Sequence, residues 1–385
     1  MTGAFEIAGS YTLHPGERPS ITGQRPVLGS GLLSRLLRGR SVEQVEHTLG
    51  QLFSLCAHAH RRTARLAMQA AKRTHPTLLP EPPSLELSLR TAMDHLRSMT
   101  MDWPNYGLGW PTPCPMPLAQ TRADMSEAQA AAALQQLKWW LETSVLSQPV
   151  CDWLAQYSAP EAFLAWCRQN ATAAPPARFL LDCHATTHVL KTTYRPLDML
   201  DQDSEKQALE LQRVAQAIGN QTGFAQQPNW KGQCAETGAW TRVGRRQATT
   251  TGSLDPSGGM NAWTRLTSRW FELVQLCGDE LLQDSSPAGL SSGALALGQG
   301  QALGWCEMAR GLLLHWVQLD SQGQVQAYQV VAPTEWNFHP DGALAQALMQ
   351  LSPKDTTQAT LLSKAFDACV ACQVSLATPP ETTHA

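Results

Sequence analysis

From Val42 onward, apolar or small side chains recur at positions 42, 45, 49, 52, 53, 56, 59, 63, 66 and 70, the three-and-four spacing of one helix face. With Ser41 as N-cap and Pro76 as stop, the pattern predicts a single helix between them. Cys56 and His60, four residues apart, project from the same side of it. Similar periodicity predicts helices at 84–99, 126–143, 146–157, 160–169, 204–219 and 260–277. Residues 5–13 alternate as a short strand does. Residues 302–331 read as strands, with Asp320–Gly323 as the turn between 312–318 and 325–331. Two closing helices are predicted near 342–351 and 357–373. A proline-dense stretch at 101–120 and a Gly/Ser-rich stretch at 285–300 read as loops. No repeat or heptad array interrupts this plan. It is a mainly α-helical α+β protein with a small antiparallel sheet, expected to be one domain over 1–385.

Composition narrows the function classes. A chain of 385 residues with 43% hydrophobic content can bury a large core. A net charge of −3 offers no field for nucleic acid or an anionic membrane surface. The first residues lack a basic and then apolar leader, and no run of about 18 apolar residues occurs, so a cytoplasmic protein is expected. Thirteen tryptophans against five tyrosines point to extensive buried aromatic area.

The ten cysteines are scattered, unlike a small disulfide framework, and most read as core residues in a reducing compartment. Cys114 lies between prolines, where nothing in the sequence supports a reactive role. Two sites stand apart: Cys56-Ala-His-Ala-His60, and Asp367-Ala-Cys-Val-Ala-Cys372 near the C-terminus, both in stretches read as helix. Cys369-x-x-Cys372 alone fits a redox pair or half a zinc site equally well. His58 lies off the Cys56 face, Asp182-Cys-His184 and His188 read as structural, and the Arg/Lys cluster at 61–73 reads as a solvated face or a docking face for an acidic partner.

Four patches, in register along the chain, resemble the large subunit of nickel–iron hydrogenases. They are Leu52-Phe-Ser-Leu-Cys-Ala-His-Ala-His60, Glu307-Met-Ala-Arg-Gly-Leu-Leu-Leu-His315, Pro333-Thr-Glu-Trp-Asn-Phe-His-Pro340 and Asp367-Ala-Cys-Val-Ala-Cys-Gln-Val-Ser375. With Glu236-Thr-Gly-Ala-Trp-Thr-Arg242, their departures make the chain most similar to the HupK/HoxV hydrogenase maturation proteins. The resemblance implies a large-subunit-like fold whose metal site is formed by the N- and C-terminal segments.

What the resemblance implies for the site follows residue by residue. Cys56 and Cys372 stand at the iron-bridging positions and Cys369 at a terminal nickel position. Phe53 replaces the other nickel cysteine, so an iron unit without nickel is expected. That unit is Fe(CN)2(CO), held transiently. Arg310 and Thr334 stand where donors meet the cyanides, and a charge-assisted bond from Arg310 is worth about 1.5–3 kcal/mol. Met308, Ala309 and Pro333 would supply apolar lining; His60 and Glu307 would lie behind the ligands. Glu307 is also the partner Arg310 would have in an ordinary buried salt bridge. Ser375 replaces the histidine after which the enzyme precursor is trimmed, and a loose match at Gly39-Arg40 puts Ser34 at the proton-transfer glutamate. No catalytic residue is therefore expected.

The implied role is an assembly scaffold that receives the iron unit from HypC/HypD-type maturation proteins and passes it to an apo large subunit. Two rivals are a metal-free chaperone that mimics the large subunit and a degenerate redox subunit that docks an iron–sulfur partner. A plain zinc protein is a third.

Overall fold

The apolar stretch near residue 300 is nearly continuous because the sheet it forms is covered on both faces. The computed structural model describes residues 9–29, 31–53, 55–103, 125–193, 195–200, 203–242, 260–278 and 290–375. Among these are eight strands: β1 (Ser10–Leu13), β2 (Ile21–Gln24), β3 (Thr77–Pro80), β4 (Ser292–Gly298), β5 (Gln301–Met308), β6 (Gly311–Leu319), β7 (Val325–Val331) and β8 (Ala371–Val374). The larger sheet is antiparallel in the order β3-β4-β5-β6-β7, and the smaller one runs β2-β1-β8.

The two faces of the larger sheet differ in side-chain size. Ala294, Ala296, Ala302, Gly304 and Cys306 line the face that receives the helix Ala57–Ala71. A Cβ at Gly304 would sit 2.6 Å from the Thr63 carbonyl oxygen, so only glycine permits this approach. Leu295, Leu303, Trp305, Leu314 and Trp316 fill the other face, against Leu211, Val214, Ala215 and Ile218 of the helix Ser204–Asn220. Small residues that look like loop in the sequence are thus packing surface. The expected loop at 285–300 is corrected from Ser292 onward to strand β4, where Gly293 makes room for the Trp305 ring. The turn at 320–323 is found, with Asp320 Oδ1 accepting from the backbone N–H of Gln322 and Gln324.

The predicted helices appear as Leu85–Asp102, Glu127–Leu141, Val150–Tyr157, Pro160–Asn170, Ser204–Asn220 and Ala262–Gln275. A further helix, Pro175–Val189, begins on a proline at its first turn and was not anticipated. Trp153, Trp166 and Trp270 pack with Phe163 and Phe271 among these helices, at ring-centroid distances from 4.8 to 6.3 Å, which uses part of the tryptophan excess. Residues 101–103 belong to the end of Leu85–Asp102 and its C-cap; the rest of the proline-dense stretch, Cys114 included, lies outside the described residues.

Two corrections place the functional segments. The long helix expected after Ser41 is two helices, Val42–Leu52 and Ala57–Ala71, which pack against each other. Gly50 enables the fold-back, since a Cβ there would meet Arg61 Cδ at 3.2 Å. Phe53 caps the first helix and Cys56 starts the second, so neither lies within a helix. The last helix ends at Phe366 rather than near 373, because Asp367 turns left-handed with φ of 50°. The chain then enters β8, which runs parallel to β1 and sets Cys372 opposite Tyr11. The smaller sheet is therefore mixed, not purely antiparallel.

Two stability consequences follow. Gly304→Val is expected to destabilise by about 1–3 kcal/mol through overpacking against Thr63 and Ala67; an unchanged urea midpoint would contradict it. His315 is buried in β6, with its Nδ1 2.6 Å from the Tyr328 hydroxyl and its Nε2 3.0 Å from His60 Nδ1. Burial drives the His315 pKa down to about 3, against about 6.5 in an unfolded chain. The unfolded chain therefore binds the proton first, and stability present above pH 6.5 is lost as pH falls toward 3, at about 1.4 kcal/mol per unit for this group. Urea midpoints at pH 7.5 and 5.5 should differ in wild type, and the difference should shrink in His315→Phe without vanishing, because buried His58, His60 and His95 are held neutral in the same way.

Candidate metal centre

The two chain ends meet at a pair of thiols. Cys56, buried at the start of the helix Ala57–Ala71, faces Cys369, which lies in the turn after the helix Thr356–Phe366, closely enough for each thiol to shift the other's titration. The backbone N–H of Cys369 approaches the Thr334 hydroxyl at 3.5 Å. Thr334 itself is fixed in the first turn of the short helix Pro333–Asn337, whose proline start suits an N-terminal position. Cys56 and Cys369 stand in the order the sequence motifs suggested, from opposite ends of the chain, but the pairing differs from the expected Cys56 and Cys372. The left-handed turn at Asp367 brings Cys369 onto Cys56, while Cys372, on strand β8, turns to the Ser363 hydroxyl.

Charge explains how the thiols share a proton. The facing Cys56 thiol, then Arg310 and Arg25, favour the ionised form of Cys369 over the cost of its burial, and its pKa falls below the ordinary thiol value. Cys56 is raised, by Cys369 and by burial, and keeps the proton. Burial pushes Cys372 up to about 11. Arg310 loses solvation on burial, but Cys369, Asp367, Asp94 and Cys56 outweigh that loss and hold it charged. Its Nε lies 3.6 Å from Asp367 Oδ2, which also faces Arg269 at 3.3 Å. Arg25 is fixed by Glu335, with both carboxylate oxygens 3.3 Å from Nη1.

Several buried polar atoms at this place have no hydrogen-bond partner among the described residues: Nε and Nη1 of Arg310, Nε of Arg25 and Oδ2 of Asp94. Asp94 has a pKa raised to about 6 by burial, against the opposing pull of Arg310 and Arg97. Such atoms are costly to leave bare. Thiols with inward-facing guanidinium donors fit a metal fragment that brings small anionic acceptors of its own.

The remaining predicted residues fall around this pair with some changes of partner. Met308, Ala309 and Arg310 form the tight turn between β5 and β6 and are buried, as is Pro333. Arg310 pairs with Asp367, not Glu307; the Glu307 carboxylate accepts from the Ser291 N–H at 2.9 Å. His60 stacks on Phe53 at 3.8 Å and bonds His315, so its ring is committed to those two rather than to a thiol. Ser375 directly follows β8, its N–H donating to the Leu13 carbonyl. Ser34 accepts from the Tyr328 N–H, and the N-terminal side chain at the thiols is Arg25 instead. His184 stacks with His188 and packs edge-on to Trp263, and Arg65 pairs with Glu46, in keeping with structural roles. Arg25, Glu335, Asp94 and Arg269 escaped the sequence reading, since none sits at a recognisable spacing from a cysteine. The one available signal was Glu335, the single charged residue in the run Val330–Trp336.

Comparison with known proteins gives the chain its relatives. Residues 284–375 match the family described as nickel-dependent hydrogenase. The chain is 37% identical to the hydrogenase expression/formation protein HoxV of Cupriavidus necator, over 100% of both chains. It is 28% identical to the hydrogenase expression/formation protein HupK of Rhizobium leguminosarum bv. viciae, covering 89% of this chain and 90% of that one. Among solved structures, it is similar to the Ni-Fe-Se hydrogenase of Desulfovibrio vulgaris Hildenborough in the as-isolated oxidized state, with 14% identity, 91% of this chain and 92% of that chain covered, and a TM-score of 0.48.

The electrostatics predict an order of reactivity. In metal-free protein at pH 8 under argon, iodoacetamide should reach Cys369 before Cys372 and Cys56, because the thiolate is the reacting form. Arg310→Met removes a charge that favours that thiolate, and should slow Cys369 by about five-fold. Peptide mass spectrometry against time reads both; Cys372 alkylated first would contradict the assignment.

Proposed function

The chain belongs to the HupK/HoxV family of hydrogenase expression/formation proteins, and from that premise we propose that it is a scaffold that holds an Fe(CN)2(CO) unit on its way to the apo large subunit of a nickel–iron hydrogenase. The observation that carries this reading is the thiol pair Cys56–Cys369 with two buried guanidiniums turned to it and donor N–H groups left unpartnered. Soft thiolates suit low-valent iron. Cyanide nitrogens are anionic acceptors, and each charge-assisted bond to Arg310 adds about 1.5–3 kcal/mol. Met308, Ala309 and Pro333 supply the dry wall around the carbonyl, and the Thr334 hydroxyl is free to donate to a second cyanide.

Cys56 and Cys369 serve as the receiving pair. Cys372, three residues beyond Cys369 on the same short segment, is the thiol that exchanges with them during capture and release. Phe53 offers no ligand to nickel, so the cargo is the iron half alone and the chain is not a catalyst of hydrogen chemistry. The donors are HypC/HypD-type maturation proteins in the cytoplasm. Among the described residues no helix is long and apolar enough to cross a membrane.

Infrared spectroscopy tests the reading on protein purified without oxygen from a host with the full maturation machinery, with iron and nickel counted on the same sample. Cyanide and carbonyl bands with iron but no nickel are expected. The bands should vanish in Cys56→Ala and Cys369→Ala, and persist with slower transfer to the large subunit in Cys372→Ala. Protein without such bands that still supports maturation would favour the metal-free chaperone.

A further inference from the structure

Arg25 is the second of the two guanidiniums at the thiols, and it is among the most constrained side chains at the site. Its guanidinium is buried and lies 5.8 Å from the centroid of the Phe53 ring. Phe53 in turn stacks on His60 at 3.8 Å, and His60 is tied to His315 at 3.0 Å. Glu335, also buried, holds Arg25 from the other direction. Arg25 therefore has an aromatic wall and a carboxylate anchor, and it feels the charge of both Cys369 and Cys56.

The other guanidinium, Arg310, has separate surroundings. Its neighbours are Asp367 and Asp94, and the two arginines meet only at the thiols. Arg310 keeps two N–H atoms unpartnered, as a site that receives anionic ligands requires. Arg25 is engaged instead with Glu335 and lies over the Phe53 ring. A fixed positive charge beside a thiolate pair does part of what a metal ion would do there: it offsets the negative charge of sulfur. It also repels any further cation that approaches the same sulfurs, since like charges in a poorly solvated site are only weakly screened.

We infer that Arg25, anchored by Glu335 and backed by Phe53, is the specificity-determining residue that limits the Cys56–Cys369 pair to one metal centre by occupying the place of a second cation. This rests on the proposed function only in taking the thiol pair as a metal site. Loss of a ligand at Phe53 would by itself weaken binding of a second metal. Arg25 goes further and makes that binding unfavourable even when a thiol is supplied.

The test uses the full-length metal-free chain under argon and cobalt(II) ions alone as the probe. Bound cobalt is counted by mass spectrometry after desalting, and cobalt–thiolate charge-transfer absorption is recorded in parallel. Each count is taken as the difference from the same protein carrying Cys56→Ala, which removes metal bound elsewhere. Wild type and Phe53→Cys are both expected to bind no more than one equivalent. Phe53→Cys combined with Arg25→Gln and Glu335→Gln, which removes the buried charges as a pair and avoids stranding either, should bind two. Phe53→Cys with Arg25→Lys, which keeps the positive charge, should stay at one. Two equivalents in Phe53→Cys alone would overturn the inference. So would one equivalent in the charge-free variant with a circular dichroism spectrum like that of wild type. Cobalt bound by none of the proteins would overturn the metal-site reading itself, a result distinct from either.

Discussion

Buried positive charge is the constraint around which this molecule is arranged. Arg25, Arg269 and Arg310 are each removed from water, and none is stable there without anions. The anions come from distant parts of the chain: Glu335 for Arg25, Asp367 for Arg269 and Arg310, and the Cys369 thiolate for Arg25 and Arg310. Satisfying these cations brings the N-terminal strands, the β5–β6 turn and the C-terminal segment to one point. The same arrangement favours the ionised form of Cys369, so the electrostatics that hold the ends together also make that sulfur the more nucleophilic one.

The larger sheet supplies the rigid frame for that meeting. Its small-residue face lets the helix Ala57–Ala71 lie close against β4 and β5, which fixes the start of that helix and hence Cys56. The turn that carries Arg310 belongs to the same sheet, so Cys56 and Arg310 share one support. Cys369 is held differently, by the turn at Asp367, the contact with Thr334 and the pairing of β8 with β1 along a four-residue edge. That is a short attachment. The aromatic group around Trp153 and Trp270 lies in the helical part and stabilises it without entering the site.

Much of the site was legible in the sequence because its parts are local motifs. Cys56, the run Met308–Arg310, Pro333–Thr334 and Cys369 each sit in a short pattern whose meaning does not depend on the rest of the chain. Helix positions were legible for a similar reason: their apolar spacing survives burial of one face. The strand β4 was not, since Gly293 and Ala294 resemble loop composition until the Trp305 ring and the neighbouring helix give them a purpose. The break before Cys56 was hidden because both helices present the same apolar spacing, and only their fold-back separates them.

By itself, the sequence determined the short motifs that carry Cys56, Arg310, Thr334 and Cys369, the helix-rich class and the family. Tertiary structure alone decided which thiol meets Cys56, because one left-handed residue at Asp367 selects Cys369 over Cys372. It alone decided which cations face the pair, because Arg25 and Glu335 meet across 310 positions of sequence. No spacing rule encodes such a contact: it exists because a buried charge must find its counter-charge wherever the packed chain provides one.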